Sequence, residues 1–241
     1  MECNFRIGTA GWSIPKQHGA SFPDAGSHLE RYGRRLTATE INSSFYRSHR
    51  PATYARWAAS VPPTFRFAVK VPREISHTCR LVDTGEPLER FLMEVRALGD
   101  RLGPLLLQLP PSLAYDEEQA SAFLKTLRMQ FDGDVVVEPR HPTWFTDAVD
   151  GMLTQFRAGR VAADPSPVPR AAIPGGWPGI TYHRLHGSPR MYYSAYEARY
   201  LDAIAHRLRG MAPHTGKRWC IFDNTADGAA AGDAFSLLRR L

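Results

Sequence analysis

The stretch Val135-Val136-Val137-Glu138-Pro139-Arg140-His141-Pro142-Thr143-Trp144 decides how the whole chain is read. Three consecutive β-branched residues predict a short buried strand, because branched side chains fit a pleated surface and lose rotamer freedom in a helix. The strand must end there, since Pro139 and Pro142 have no N–H to donate to a ladder or a helix interior. Glu138, Arg140 and His141 are thus delivered together at the carboxyl end of an apolar strand. α/β enzymes build their sites in this way.

Outward from that stretch, seven further segments read as strands: 5–9, 38–42, 65–71, 105–109, 160–164, 180–186 and 218–224. The clearest is Phe65-Arg66-Phe67-Ala68-Val69-Lys70-Val71, whose alternation turns the phenylalanines and valines to one face and Arg66, Ala68 and Lys70 to the other. Helical patterns fall between most of the strands. They cover roughly 28–35, 53–59 with Pro51 in the first turn, 88–98, 116–129, a segment capped by Thr143 and reaching Arg157, 196–209, and 227–239. Between 165 and 179 prolines and glycines leave no evident helix, which predicts an irregular crossover between strands six and seven. The expectation is an α/β fold: one TIM-type (β/α)8 barrel spanning residues 1–241 as a single domain.

Composition bounds the function without naming it. The 241 residues are 43% hydrophobic and 22% charged, with a net charge of +6 that favours anionic partners. Cys3, Cys79 and Cys220 are scattered and form no CxxC pair, which argues against a disulfide framework and against a cysteine-built zinc site. The N-terminus shows no basic region followed by an apolar run, and no window approaches a membrane span, so a cytoplasmic protein is expected. No Rossmann glycine fingerprint, P-loop or Gly-x-Ser-x-Gly elbow is present, which sets aside dinucleotide, NTPase and α/β-hydrolase readings.

The strand ends carry the chemistry. In order they supply Glu40 and Asn42, Lys70, Gln108, Glu138 and Arg140, Asp164, Arg184 and His186, then Asp223 and Asn224. A single polar residue at a strand end usually just meets water. Seven strands ending this way define a polar ring at one face of a barrel.

Gly8-Thr9-Ala10-Gly11-Trp12, Glu40-Ile41-Asn42-Ser43-Ser44-Phe45-Tyr46-Arg47, Phe67-Ala68-Val69-Lys70, Ile75-Ser76-His77, Leu107-Gln108-Leu109-Pro110, Glu138-Pro139-Arg140-His141-Pro142-Thr143-Trp144, Arg184-Leu185-His186-Gly187 and Phe222-Asp223-Asn224 occur in this order along the chain. Together they resemble the YecE-like family, also called domain of unknown function 72. The resemblance implies a TIM-type barrel and supplies no activity. Pro139 and Asp223 depart from residues common in that family, and the aromatic residues usual after the first Gly-Trp motif are partly missing around Ser13 to His18.

Two functional readings follow. In the first, the chain is a hydrolase or lyase acting on a small, anionic, phosphate-bearing substrate. Glu138 is then the acid or base, Lys70 and Arg140 stabilise charge, His186 moves a proton, and Asp164 completes the catalytic set. Glu40, Asn42, Tyr46, His77, Gln108, His141, Trp144, Arg184, Asp223 and Asn224 are the candidate substrate contacts. Arg184 and the loops 187–190 and 224–228 would grip the anion. The competing reading of Glu138 and Lys70 is an ion pair that braces the barrel mouth, and Lys70 as a Schiff-base lysine is a further alternative. No metal-ligand spacing occurs, so no residue is assigned to metal; the cofactor stays unassigned, with one divalent ion on Glu138, Asp164 and His186 as the alternative. In the second reading, arginines and aromatic residues on the rim hold single-stranded or damaged nucleic acid, without catalysis or with metal-dependent phosphodiester chemistry. Neither reading involves a membrane.

Overall fold

The computed structural model describes residues 5–210 and 216–241; Cys3 and the N-terminal residues read for a leader lie outside them. Its sheet contains β1 (Phe5–Ala10), β2 (Ala38–Ile41), β3 (Arg66–Lys70), β4 (Leu102–Gln108), β5 (Val135–Glu138), β6 (Ala158–Arg160), β7 (Ala162–Asp164), β8 (Gly175–Gly176), β9 (Ile180–Leu185) and β10 (Lys217–Phe222). The hydrogen-bonded order is β7-β9-β10-β1-β2-β3-β4-β5-β6-β8. Every pairing is parallel except that of β6 with the two-residue β8. The chain itself nearly joins the two ends of this order. Only Val161 separates β6, which pairs with β5, from β7, which pairs with β9. The result is a nearly closed, barrel-like sheet.

Helices α1 (His28–Gly33), α2 (Pro51–Ala59), α3 (Gly85–Val95), α4 (Glu117–Gln130), α5 (Asp147–Gln155), α6 (Ala198–Gly210) and α7 (Ala229–Leu238) lie between or after the strands. Their starts follow ordinary capping chemistry. Ser27 and Glu30 form a capping box on α1, Pro51 opens α2, and Asp116 accepts from the N–H of Gln119 at α4. The expectation for Thr143 is corrected. Residues Pro142–Trp144 form a 3-10 turn, and Thr146 caps the helix that begins at Asp147. Pro142 cannot donate to a preceding carbonyl and Trp144 is drawn into the core, so helix formation is delayed by one turn.

The sixth strand also differs from expectation, starting at Ala158 and pausing at Val161. The crossover after it contains a 3-10 turn, Pro169–Ala172, and β8, with no α-helix. Buried Arg160 holds it in place. Its Nε lies 2.7 Å from Asp150 of α5, and its Nη1 donates to the carbonyls of Arg170 and Ile173.

Strand parity sorts the apolar residues into two clusters. Phe65, Phe67, Val69 and Val71 join the large cluster between sheet and helices. Ala38, Ala68, Leu106, Val136, Ile180, Tyr182, Trp219 and Ile221 form a separate inner cluster, with the rings of Tyr182 and Trp219 stacked 5.9 Å apart. Two glycines make this closeness feasible. A Cβ on Gly8 would stand 1.9 Å from the carbonyl oxygen of Ala38 on the neighbouring strand. One on Gly103 would meet the Trp219 ring at 2.7 Å, at the register shift that Gly103-Pro104 introduces between β3 and β4. Side chains two residues further along the inward face bring Glu40, Lys70, Gln108, Glu138, Arg184 and Asp223 to one end of the sheet.

Candidate active site

The inward parity that makes Ala38, Ala68, Val136, Tyr182 and Ile221 apolar makes Glu40, Lys70, Glu138, Arg184 and Asp223 their successors toward the strand ends. Arg184 is the hub. Its Nη2 lies 2.8 Å from Glu40 Oε1 and 3.0 Å from Asp223 Oδ2, and its Nη1 lies 3.3 Å from Glu138 Oε2. The Tyr182 hydroxyl donates to Glu40 Oε2 at 3.0 Å from below. Glu40, Glu138 and Arg184 are all buried, so each carboxylate depends on these donors for the hydration it has lost.

His186 sits above this layer. Its Nδ1 is 2.9 Å from Asp223 Oδ2, and its Nε2 is 2.9 Å from Glu138 Oε1 and 2.6 Å from Arg140 Nη2. Nε2 therefore faces an acceptor and a donor together. Arg140 also bonds Glu138 Oε1 at 2.6 Å through the same Nη2, and its Nε and Nη1 have no protein partner among the described residues. Burial alone would raise the Glu138 carboxyl. The Arg140 and Arg184 guanidinium groups and His186 override it and hold the group well below the ordinary carboxylate range. Asp223 behaves alike: burial pushes it up, and Arg184 and His186 bring it down overall.

Lys70 stands apart. Its side chain is buried, yet among the described residues its ammonium makes no hydrogen bond or ion pair; its Nζ lies 4.1 Å from the centre of the Phe45 ring. Burial, and then repulsion from Arg184, lower its ammonium to about 8 against the opposing pull of Glu40, Glu138 and Asp223. A lysine depressed in the folded state releases its proton there first, so the unfolded chain binds more protons between about 8 and 10.5. Stability should therefore rise with pH in that window relative to Lys70→Met, by up to about 3 kcal/mol. Parallel urea titrations of the two proteins across the window check this; a flat difference contradicts it.

Over this cluster lies a cleft of about 480 Å³ lined by His77, Gln108, Leu109, Pro111, Arg140, Pro165 to Pro167, Met191 and Tyr192. His77 is carried by a π-helical turn, Glu74–Thr78, a type of distortion that recurs at functional sites. Burial, then Lys70 and Arg73, lower its imidazole. Tyr192 adopts φ 70°, which is uncommon for a non-glycine residue, and packs edge-on 5.9 Å from His186.

The residues expected from sequence therefore divide. Glu40, Lys70, Glu138, Arg140, Arg184, His186 and Asp223 come together, and His77 and Gln108 line the cleft above them. Asp164 does not join: its side chain accepts from the Tyr196 hydroxyl at 2.8 Å, on the strand face opposite Ala163, so Glu138, Asp164 and His186 do not converge on one point. Among the described residues, no group of three or more His, Cys, Asp or Glu side chains is placed to hold a metal ion.

The remaining expected contacts lie elsewhere. Trp144 is a core residue whose Nε1 donates to the Leu113 carbonyl. His141 braces its own turn through Thr143. Asn224 is buried and ties Ser194 to Asp233. Tyr46 is 75% exposed beside a separate cavity that Arg47, Arg73 and Arg90 also line, and Asn42 is half-buried before the 3-10 turn Ser43–Phe45. In and just after the loops expected to grip an anion, several N–H groups are used internally. Gly187 donates to Tyr196, Ala226 to Tyr192, Gly228 to Thr225 and Ala230 to Asn224.

Sequence reasoning missed Tyr182 as the floor of the network, although it shares parity with Arg184. The cleft wall formed by Met191 and by Pro165 to Pro167 had no signal beyond its loop composition.

The sequence profile of the protein family described as "Protein of unknown function DUF72" matches residues 6–241. The chain belongs to the DUF72 family. Two solved DUF72 structures agree with it in fold. One, from Enterococcus faecalis V583, is 20% identical with a TM-score of 0.83, covering 98% of this chain and 95% of that one. Another, from Thermotoga maritima MSB8, is 21% identical with a TM-score of 0.79, covering 98% of each. A fusion protein of a xylose isomerase-like TIM barrel and a 4-hydroxyphenylpyruvate dioxygenase matches at 14% identity and a TM-score of 0.55, over all of this chain and 42% of that one. No curated protein matches this DUF72 chain. No helix among the described residues is long and apolar enough to cross a membrane.

Proposed function

We propose that this DUF72 protein is a cytoplasmic enzyme, a hydrolase or lyase, working by acid–base chemistry on a small anionic, phosphate-bearing substrate at the carboxyl ends of its strands. In this reading the nearly closed sheet is a single TIM-type (β/α)8 domain, with β6 and β7 as two halves of one barrel strand. The observation that carries the proposal is the state of the cations at the mouth. Among the described residues, Arg184 is engaged by three carboxylates, whereas Arg140 on the cleft wall has no partner at Nε or Nη1 and the Lys70 ammonium forms no ion pair. A partly exposed guanidinium with spare donors suits a phosphate or carboxylate group. Arg140 anchors the anion, and Lys70, His77 and His186 are the groups positioned to move protons. Glu138 and Asp223 orient His186, and Glu40 fixes Arg184.

Pairs of small molecules with and without a phosphate test the reading by thermal shift and by turnover. Phosphorylated members should stabilise the native protein and not Arg140→Gln, and at least one should be converted. Equal shifts for both members of every pair contradict the phosphate requirement.

A second reading is favoured by one observation. Arg190 lies 3.8 Å over the Tyr193 ring beside exposed Met191 and Tyr192, an arrangement suited to stacking bases of single-stranded or damaged nucleic acid. Such binding would weaken steeply with salt.

A further inference from the structure

We propose that Lys70 is an imine-forming lysine and that the mouth takes a small anionic aldehyde or ketone. This deepens the preceding reading and rests on its placement of the site at the strand ends.

An amine attacks a carbonyl only when it is unprotonated, and a lysine held by carboxylates stays protonated. Here three carboxylates, Glu40, Glu138 and Asp223, share the layer with Lys70, and each has other donors: Arg184 for all three, Tyr182 for Glu40, Arg140 and His186 for Glu138, and His186 for Asp223. Among the described residues, the Lys70 ammonium has none of these contacts. Its Nζ is against the face of Phe45, in a buried position beside the guanidinium of Arg184. Desolvation with a cationic neighbour is how an amine is kept reactive near neutral pH. The loss of a proton near 8 agrees with the geometry. A candidate proton partner is close by: the His77 ring, which lines the cleft, packs edge-on 5.0 Å from the same Phe45 ring that Lys70 Nζ faces, and burial and Lys70 disfavour its cation.

The chemistry balances with no co-reactant. The Nζ lone pair forms a bond to the carbonyl carbon while the C=O π pair takes up a proton, giving a carbinolamine. The nitrogen then gives up a proton, the hydroxyl leaves with a proton as water, and a C=N bond forms. Protonated, that imine accepts the electron pair of a bond breaking at the adjacent carbon, and the other fragment gives up a hydroxyl proton and departs as a carbonyl compound. The enamine left on Lys70 takes up a proton and is hydrolysed by water to the free amine and product, which is lyase chemistry. Arg140 holds the anionic end of the substrate.

The chain has only three other lysines, Lys16, Lys125 and Lys217, and all are exposed. The full chain is incubated near pH 8 with pyridoxal 5′-phosphate, used only as a phosphorylated aldehyde probe, then reduced with borohydride and mapped by peptide mass spectrometry. Reduced adduct should accumulate on Lys70 in at least about tenfold excess over each exposed lysine, despite its burial. Adduct confined to Lys16, Lys125 and Lys217 overturns the proposal. Pyridoxal without the phosphate separates the two readings. Equal labelling of Lys70 by both probes upholds the imine and removes the phosphate requirement. No Lys70 adduct, with Arg140-dependent stabilisation by inorganic phosphate intact, removes the imine and leaves the anion site standing. Arg140→Gln serves as the second variant: Lys70 labelling by the phosphorylated probe should fall while labelling by pyridoxal persists, and persistence of both at equal levels counts against the anchoring role.

Discussion

Replacing Arg184 by methionine is expected to destabilise the protein by about 3–5 kcal/mol, because the substitution leaves buried carboxylates without their shared cation. Methionine preserves much of the length and volume, so the loss reports charge more than cavity. Among the described residues, the Glu40 carboxylate keeps only the Tyr182 hydroxyl, while Glu138 and Asp223 keep His186, with Arg140 also on Glu138. Urea denaturation at neutral pH measures the effect. Adding Glu40→Gln to Arg184→Met should cost less than the sum of the two single changes, since the second removes a charge the first has stranded. A loss under about 1 kcal/mol would mean that Arg184 is solvated and the network is loose.

Glu138→Gln is the second large effect. Oε1 accepts from Arg140 and lies against His186, and Oε2 accepts from Arg184. Whichever way a glutamine amide is turned, its NH2 meets a guanidinium or the imidazole, so a repulsive contact replaces an attraction. A loss of about 3–5 kcal/mol is expected, as for other broken buried pairs. The comparison has a pH signature. Glu138 is depressed in the folded protein, so its contribution is present above its ordinary value of 4.5 and is lost as pH falls toward the folded value. The advantage of the native protein over Glu138→Gln should therefore shrink as pH drops below 4.5. A difference independent of pH would show that Glu138 is not held ionised by its neighbours. In the proposed enzyme the same substitution also removes turnover, because His186 loses one of its two carboxylate contacts.

Much of this is legible in the amino-acid sequence itself. Alternation in Phe65 to Val71 separates the helix-facing residues from Ala68 and Lys70, and the apolar run Val135 to Val137 sets Glu138 at a strand end. These readings rest on a period of two that burial enforces. Other features had no local signature. Thr143 looks like a helix cap, yet Trp144 is drawn to the carbonyl of Leu113, and that contact is 31 residues away in sequence. Asp164 ends a strand as Glu138 does, but it lies on the opposite face, where Tyr196 captures it. The break at Val161 changes which neighbour each half of the strand serves, and sequence alternation cannot report it. The state of Lys70 was hidden for a different reason: a carboxylate and a lysine on neighbouring strands suggest a pair. Only the arrangement shows that Arg184 and His186 engage the carboxylates first.

The measurement that tests the account most directly is the titration of Lys70 itself, followed by the 13Cε resonances of the chain's lysines and assigned with Lys70→Arg. A Lys70 midpoint near 8 is predicted, well below the value of about 10.4 that a lysine has in a model peptide. A Lys70 midpoint at or above about 10.4 would contradict the account, because the amine would then not be destabilised as a cation at the mouth.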